Sequence, residues 1–302
     1  MGSQRRDRDL DVRGAVTAHL PGYRIDTVEL VGEGKDNIAF EVNGELIVRF
    51  TKEGDPHHPA TTADDQALLL AAVAGISPLR VPAPVFTLDE QGCLAYFKLP
   101  GLPLIDLPIP RREAHSTSIA ATLGELLAAL HRAPADRMTE LVDTDDQPAQ
   151  RWLSEAADTY ATIAQKLPPA HRPAVEAFLD TPPPPDGHPL VFSHNDLGIE
   201  HVLVDPATWT VTGIIDWSDA AMVDPACDFG LLYRDLGPEA LHAALLGYRA
   251  DPRQAEAIST RAAFYAKCSV LEDMAYGIET GHLEYLDKSL AALAWLYPAR
   301  PR

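Results

Sequence analysis

The stretch from Val191 to Gly230, VFSHNDLGIEHVLVDPATWTVTGIIDWSDAAMVDPACDFG, constrains this chain most. Leu190-Val191-Phe192 leads into His194-Asn195-Asp196, Val202-Leu203-Val204 closes on the turn pair Asp205-Pro206, and Val211 to Ile215 ends on Asp216. Short apolar runs bounded by turn residues read as buried strands. Two acids and a histidine then stand at strand ends or in the tight loops between strands, where a short backbone holds polar side chains rigidly. Phosphoryl transfer asks for such an arrangement: a carboxylate to orient an acceptor hydroxyl, and hard ligands that fix Mg²⁺ on nucleotide phosphates. Asp196 suits the first task, while His201 and Asp216 suit the second. A lone Asp at a strand end is ordinarily a turn former or helix cap. Here an H-x-D loop, a strand, a turn, another strand and a second Asp come in order, which outweighs that reading for Asp196 and Asp216. For His201 a packed loop histidine stays open.

The same run resembles the catalytic and metal-binding loops of the kinase-like antibiotic phosphotransferases, the aminoglycoside phosphotransferase family. The usual pattern there is H-G-D-x-x-x-x-N followed by an I-D-[WF] strand end. This chain has His194-Asn195-Asp196-Leu197-Gly198-Ile199-Glu200-His201, then Ile215-Asp216-Trp217. Asn195 replaces the common glycine and His201 the common asparagine. Both variants look like the aminoglycoside 2''-phosphotransferase branch, and the histidine also looks like macrolide phosphotransferases. Imidazole is a poorer Mg²⁺ ligand than an amide oxygen. The resemblance implies an α+β, bilobal protein-kinase-like fold. A β-rich N-terminal nucleotide-binding lobe would span residues 1–98, and a mainly helical catalytic and acceptor-binding lobe residues 99–302, with Mg-nucleotide between them.

Along the chain, Met1 to Arg13 is polar and rich in Arg and Asp, and is expected to fray. From Tyr23 to Phe50, alternation over Ile25–Val31 and Ile38–Val42, then Asn43-Gly44 before Glu45–Phe50, predicts three antiparallel strands; Asn-Gly between apolar runs is a strong hairpin signal. Gly32-Glu33-Gly34 lies at the first turn, where Gly32 and Gly34 would let the backbone approach phosphates, as the nucleotide loop of the resembled family does. Arg49 then occupies the place of the family's phosphate-holding lysine, with Lys52 as the alternative; an exposed strand cation is the plain reading. Asp65 is the candidate acid to pair with that cation, or simply an acid in the first turn of a helix over Ala67–Ala74, with Thr62 and Asp65 as a loose capping box. Val81 to Val85, with Pro82 and Pro84, reads as an extended linker. The stretch YFKLPGLPL resembles the family's hinge, whose backbone, here at Lys98 and Leu99, would meet a purine.

Beyond it the periodicity turns helical: Ile119 to Leu130, Trp152–Leu167, Pro173–Leu179, Leu231–Leu236, Pro238–Tyr248 and Pro252–Gly277. His131 reads as structural. In the D-P-A-x-D-F block Asp228 would anchor the catalytic loop through buried hydrogen bonds. Glu272 and Glu279 are seven apart on one helix face. With Glu200 they are the acids that the resemblance offers to the ammonium groups of an acceptor; a solvated face is the plain reading of the helical pair.

Composition sets outer limits. There are 44 acids against 25 bases, a formal charge of −19, a surface that repels nucleic acid and anionic membrane and suits a small cationic substrate. No apolar stretch is long enough for a bilayer and no signal-peptide pattern opens the chain. Three scattered cysteines, Cys93, Cys227 and Cys268, form no metal motif and point to a reducing cytoplasm. Taken with the resemblance, the expectation is a cytoplasmic monomer or homodimer. It would move the γ-phosphate of GTP or ATP, with Mg²⁺, to an aminoglycoside hydroxyl. Macrolide phosphotransferase, small-metabolite kinase and non-catalytic nucleotide-binding protein are the alternatives.

Overall fold

The protein is described from a computed structural model, which covers residues 2–33, 37–52 and 62–299, with the backbone alone for 2–10. The chain divides into two compact units, Met1–Ile76 with Arg80–Pro100, and Ser77–Leu79 with Gly101–Arg302.

The first unit is organised by period-two burial. Its elements are α1 (Gly2–His19), β1 (Val28–Glu33), β2 (Asn37–Val42), β3 (Leu46–Thr51), α2 (Ala63–Ala74), β4 (Pro84–Leu88) and β5 (Cys93–Phe97). The strands form one antiparallel sheet in the order β1-β2-β3-β5-β4. The hairpin turn after β2 has both Asn43 (φ 55°) and Gly44 (φ 75°) in the left-handed region, which the Asn-Gly pair tolerates. Ile38, Phe40 and Val42 alternate with partly exposed neighbours, as do Leu46, Val48 and Phe50. This apolar face packs on Val12, Ala15 and Val16 of α1, spaced at three and four residues. Val12 falls within the polar N-terminal stretch and Ala15 and Val16 follow it, so one helical stripe docks the C-terminal half of α1 on the sheet. The proline-rich run expected as a linker also enters the sheet, since β4 starts at Pro84. An edge strand is where a residue without an N–H is tolerated.

The second unit holds β6 (Leu102–Pro103), α3 (Ile109–Leu130), α4 (Ala135–Met138), α5 (Ala149–Ile163), α6 (Arg172–Leu179), β7 (Val191–Ser193), β8 (Val202–Val204), β9 (Val211–Ile214), β10 (Ala221–Val223), α7 (Ala226–Leu236), α8 (Pro238–Tyr248), α9 (Pro252–Thr280) and α10 (Leu283–Leu296). Its strands are short: β10 pairs with β7, and β6-β8-β9 form a second small sheet. The helices supply the rest of the core. At the α3–α8 crossing, a Cβ on Gly124 would stand 2.0 Å from the Ala244 carbonyl oxygen, and one on Gly247 2.2 Å from that of Ala121, so each helix presents a glycine to the other's backbone. His131, which ends α3, is tied to Tyr248 and Ser193, each at 3.1 Å, as a structural histidine would be. All three cysteines are buried thiols, and no helix among the described residues is long and apolar enough to cross a membrane.

Candidate active site

The loop between β7 and β8 is built from its own backbone bonds. His194 is fully buried; its Nε2 donates to the Ile215 carbonyl at 3.0 Å and its Nδ1 accepts the Asp196 N–H at 3.3 Å. That pattern requires the neutral ring, and burial lowers its pKa to about 3. Asp228, also fully buried at the start of α7, accepts the N–H groups of His194 (3.0 Å), Leu197 (3.4 Å) and Asn195. The Ile215 N–H donates to the His201 carbonyl at 3.0 Å, which fastens the end of β9 to the end of the loop.

Two residues of this frame hold left-handed backbone, Asn195 (φ 65°) and Asp216 (φ 59°). Asn and Asp are the side chains that visit this region at least cost. The geometry thus gives a reason for the glycine–asparagine exchange at 195: either residue satisfies a positive φ. Asn195→Gly should leave stability within about 1 kcal/mol of the parent, whereas Asn195→Val should cost roughly 2 kcal/mol. Urea unfolding of the two variants checks this, and equal midpoints would remove the backbone explanation.

Within the frame, three side chains expected to act together do converge. His201 donates from Nδ1 to the Asp196 carbonyl oxygen at 2.8 Å, with the Asp196 carboxylate 3.4 Å from the same nitrogen. Its Nε2 lies 3.8 Å from Asp216 Oδ2. One imidazole therefore separates the two carboxylates. The Asp side chains are 40% and 39% exposed and the His 16%, so the acids reach solvent while the ring is walled in. Burial alone would depress the imidazole, but Asp196, Glu200 and Asp216 raise it to about 9. The cluster thus retains a proton that another cation could replace. Asp216 Oδ1 also accepts the Ser218 hydroxyl at 2.7 Å.

Among the described residues, no cluster of three or more His, Cys, Asp or Glu side chains forms a metal cage. Since Nδ1 donates to a carbonyl, the proton that the raised pKa of His201 retains sits on Nε2, beside Asp216, and Nε2 would offer a lone pair to a metal once that proton is displaced.

The structure distributes the other candidates differently. Arg49 lies on the half-exposed face of β3, opposite the core, and donates to Gln66 of α2. Asp65 instead closes a capping box, accepting from the Thr62 backbone and hydroxyl at 3.2 and 2.8 Å. A helix acid does face the sheet cation's neighbourhood in sequence, but the residue one position later meets it in space. Gly32 stands at a bulge in β1, between Leu30 and the pairing with Ala39; Gly34 lies outside the described residues. The Lys98 N–H donates to the Glu45 carbonyl at 2.7 Å and its ammonium pairs with Glu41; Leu99 is half-buried.

Glu200, expected to face an acceptor, is a correction. It points into the core of the second unit, 2.8 Å from Lys288 Nζ and 3.9 Å from Arg234 Nη2, and burial with two cations claims its carboxylate. Lys288, Arg234, Asp235 and Asp273, which complete this buried ion cluster, had no signal in the sequence beyond being ordinary helix charges. Glu272 and Glu279, by contrast, are exposed on one face of α9. With Asp158, Thr159 and Thr162 of α5 and Tyr276 they line an open depression of about 430 Å³.

Comparison with known proteins identifies the family and the fold. The phosphotransferase enzyme family profile matches residues 27–259. The viomycin phosphotransferase of Streptomyces vinaceus is 28% identical, over 75% of this chain and 80% of its own length. The uncharacterized protein YcbJ of Bacillus subtilis (strain 168) is 34% identical, over 71% and 73%. Among solved structures, the GDP complex of wild-type aminoglycoside 2'-phosphotransferase-IIIa superposes with a TM-score of 0.68 at 21% identity, covering 94% of this chain and 96% of the other. The macrolide 2'-phosphotransferase MphH from Brachybacterium faecium superposes with a TM-score of 0.59 at 23% identity, covering 97% and 99%. The chain belongs to the phosphotransferase enzyme family, and its α+β fold is the kinase-like one of the aminoglycoside and macrolide phosphotransferases.

Proposed function

We propose that this enzyme transfers the γ-phosphoryl group of a Mg-nucleoside triphosphate, GTP or ATP, to a hydroxyl of a cationic antibiotic of the aminoglycoside type. The observation that carries the reading is the convergence of Asp196, His201 and Asp216 around one imidazole at the ends of β7 and β9. In this reading Asp196 accepts the hydrogen bond of the acceptor hydroxyl and takes its proton as the new O–P bond forms and the bond from the γ-phosphorus to the departing nucleoside diphosphate breaks. Asp216 and His201 Nε2 would hold Mg²⁺, which would neutralise charge on the phosphates. Gly32, Gly34 and Arg49 serve the donor's phosphates, and the backbone at Lys98 and Leu99 its base. The chain's own contribution is positioning and fixed charge rather than a covalent intermediate.

The acceptor class is argued from the depression between α5 and α9. Asp158, Glu272 and Glu279 give it carboxylates for ammonium groups, and Tyr276 with two threonines gives it an aromatic wall and hydroxyls. This chemistry favours a polycation over a macrolide, in keeping with the formal charge of −19. Acceptor-dependent release of nucleoside diphosphate, measured across kanamycin, gentamicin, streptomycin, viomycin and a macrolide, tests the reading. Turnover is expected with a cationic member of the panel. For that acceptor, Glu272→Gln and Glu279→Gln should each raise KM roughly 5- to 30-fold with kcat little changed, as the loss of one charge-assisted contact would. Turnover with the macrolide alone would move the assignment to that class, and no turnover with any of them would favour a small-metabolite kinase or a non-catalytic binder.

A further inference from the structure

Behind the Asp196 loop lies a buried cluster of two cations and three carboxylates. Lys288, on α10 and 2% exposed, places its ammonium 2.8 Å from Glu200, 2.8 Å from Asp273 and 3.3 Å from Asp235. Arg234 forks onto Asp235 at 2.7 and 2.9 Å and reaches Asp273 at 3.1 Å. The cluster joins four parts of the second unit: the loop through Glu200, α7 through Arg234 and Asp235, α9 through Asp273, and α10 through Lys288. It touches the loop twice, since Asp235 Oδ2 also accepts the Ile199 N–H at 3.2 Å. The loop makes room for the contact at Gly198, where a Cβ would stand 2.5 Å from the Glu200 carboxylate.

We infer that Lys288 and Glu200 are positioning residues of the phosphotransfer reaction: their ion pair fixes the loop that carries Asp196 and His201 against α10, whose Lys288 also holds Asp273 of the helix that carries Glu272 and Glu279. The inference rests on the role proposed for Asp196 and extends it to a helix outside the family match, which ends at residue 259.

The physical argument turns on which member of the cluster can move. Asp235 and Asp273 sit within helices, but Glu200 stands in a loop without regular structure. With three carboxylates against two cations, the cluster carries one excess negative charge. Withdrawal of the Lys288 charge would leave three acids facing Arg234, and buried like charges that lose their counter-ion separate or take up protons. Glu200 has the least backbone restraint, so it yields first. It is bonded directly to His201 and lies four residues from Asp196, and the pull falls on both. Displacement of a reacting group by about 1 Å costs on the order of 10²-fold in rate. On its outward side the same turn of α9 presents Glu272, next to the inward Asp273, so the cluster sets both the loop and the wall of the acceptor depression.

The test separates positioning from general support of the fold. Glu200→Gln removes the excess charge while keeping the side chain's shape, leaving Lys288 and Arg234 balanced against Asp235 and Asp273. Its melting temperature is expected at or above that of the parent, yet kcat with the acceptor found in the panel should fall roughly 10- to 100-fold, with acceptor KM within about threefold. Lys288→Met should lower kcat at least as far, Lys288→Arg should recover part of the loss, and the double variant Glu200→Gln/Lys288→Met should be no slower than the slower single one. Parental kcat in Glu200→Gln overturns the inference. So do losses of kcat and melting temperature in proportion, or single losses that multiply in the double variant. If Lys288→Met does not fold, the split between kcat and stability in Glu200→Gln decides alone. Failure of the underlying reading looks different, because it appears as retained turnover in Asp196→Ala.

Discussion

Asp196→Ala is expected to lower acceptor-dependent kcat by roughly 10³-fold, within the range lost when a positioned acid–base group is removed, while the affinity for Mg-nucleotide changes by less than about threefold. The frame makes the experiment clean. Asp196 is held through its main chain: its N–H donates to His194 Nδ1 and its carbonyl accepts from His201 Nδ1. Alanine keeps both bonds, so the backbone path of the loop should persist and the loss should report the carboxylate itself. The carboxylate is the more exposed part, at 40%, which a group meeting an incoming hydroxyl needs. Steady-state release of nucleoside diphosphate and calorimetric titration with Mg-nucleotide measure the two quantities. Turnover within tenfold of the parent would remove Asp196 from the role, and a parallel collapse of nucleotide affinity would place it with the metal instead.

The sequence disclosed what depended on local pattern and concealed what depended on meeting in space. Asp196 and Asp216 stand out in the sequence because each follows a short apolar run, and β7 and β9 are those runs. The Asn43-Gly44 turn was legible because only a few residues accept its backbone. Pro238–Tyr248 was legible to the residue, bounded as it is by a proline at its start and a helical stripe within. Asp65 and Gln66 are neighbours, and nothing local says which one points at the sheet; the capping demand of Thr62 took the acid, leaving the amide for Arg49. Glu200 carries the same charge as Glu272, yet one is buried against Lys288 and the other lines an open depression. A distance of 88 residues along the chain separates Glu200 from its lysine, so no window of sequence contains the pair. The stripe Val12, Ala15 and Val16 lay partly inside a run of charges, which hid the helix.

Asp228→Ala is the second change with a large expected effect, and it acts on stability first. The Asp228 carboxylate is the shared acceptor for three N–H groups of the loop, those of His194, Asn195 and Leu197. Burial pushes its pKa up to about 6, against the pull of those donors, so it is ionised at neutral pH and binds them as a charged acceptor. Its removal orphans donors at a fully buried position, and unsatisfied buried groups cost about 1–3 kcal/mol each. Water entering the vacated space would recover part of this. The net loss expected from urea unfolding is about 3–4 kcal/mol. Asp228→Asn keeps the shape and one acceptor oxygen but loses the charge, and should fall between the parent and the alanine variant. Because the same N–H groups set the path of the Asp196 loop, kcat measured on the folded fraction should drop as well, by roughly 10²-fold. A parental unfolding midpoint in Asp228→Ala would mean that the loop holds its shape without this carboxylate, and the explanation of how Asp196 is aimed would have to shift to the Lys288 side of the loop.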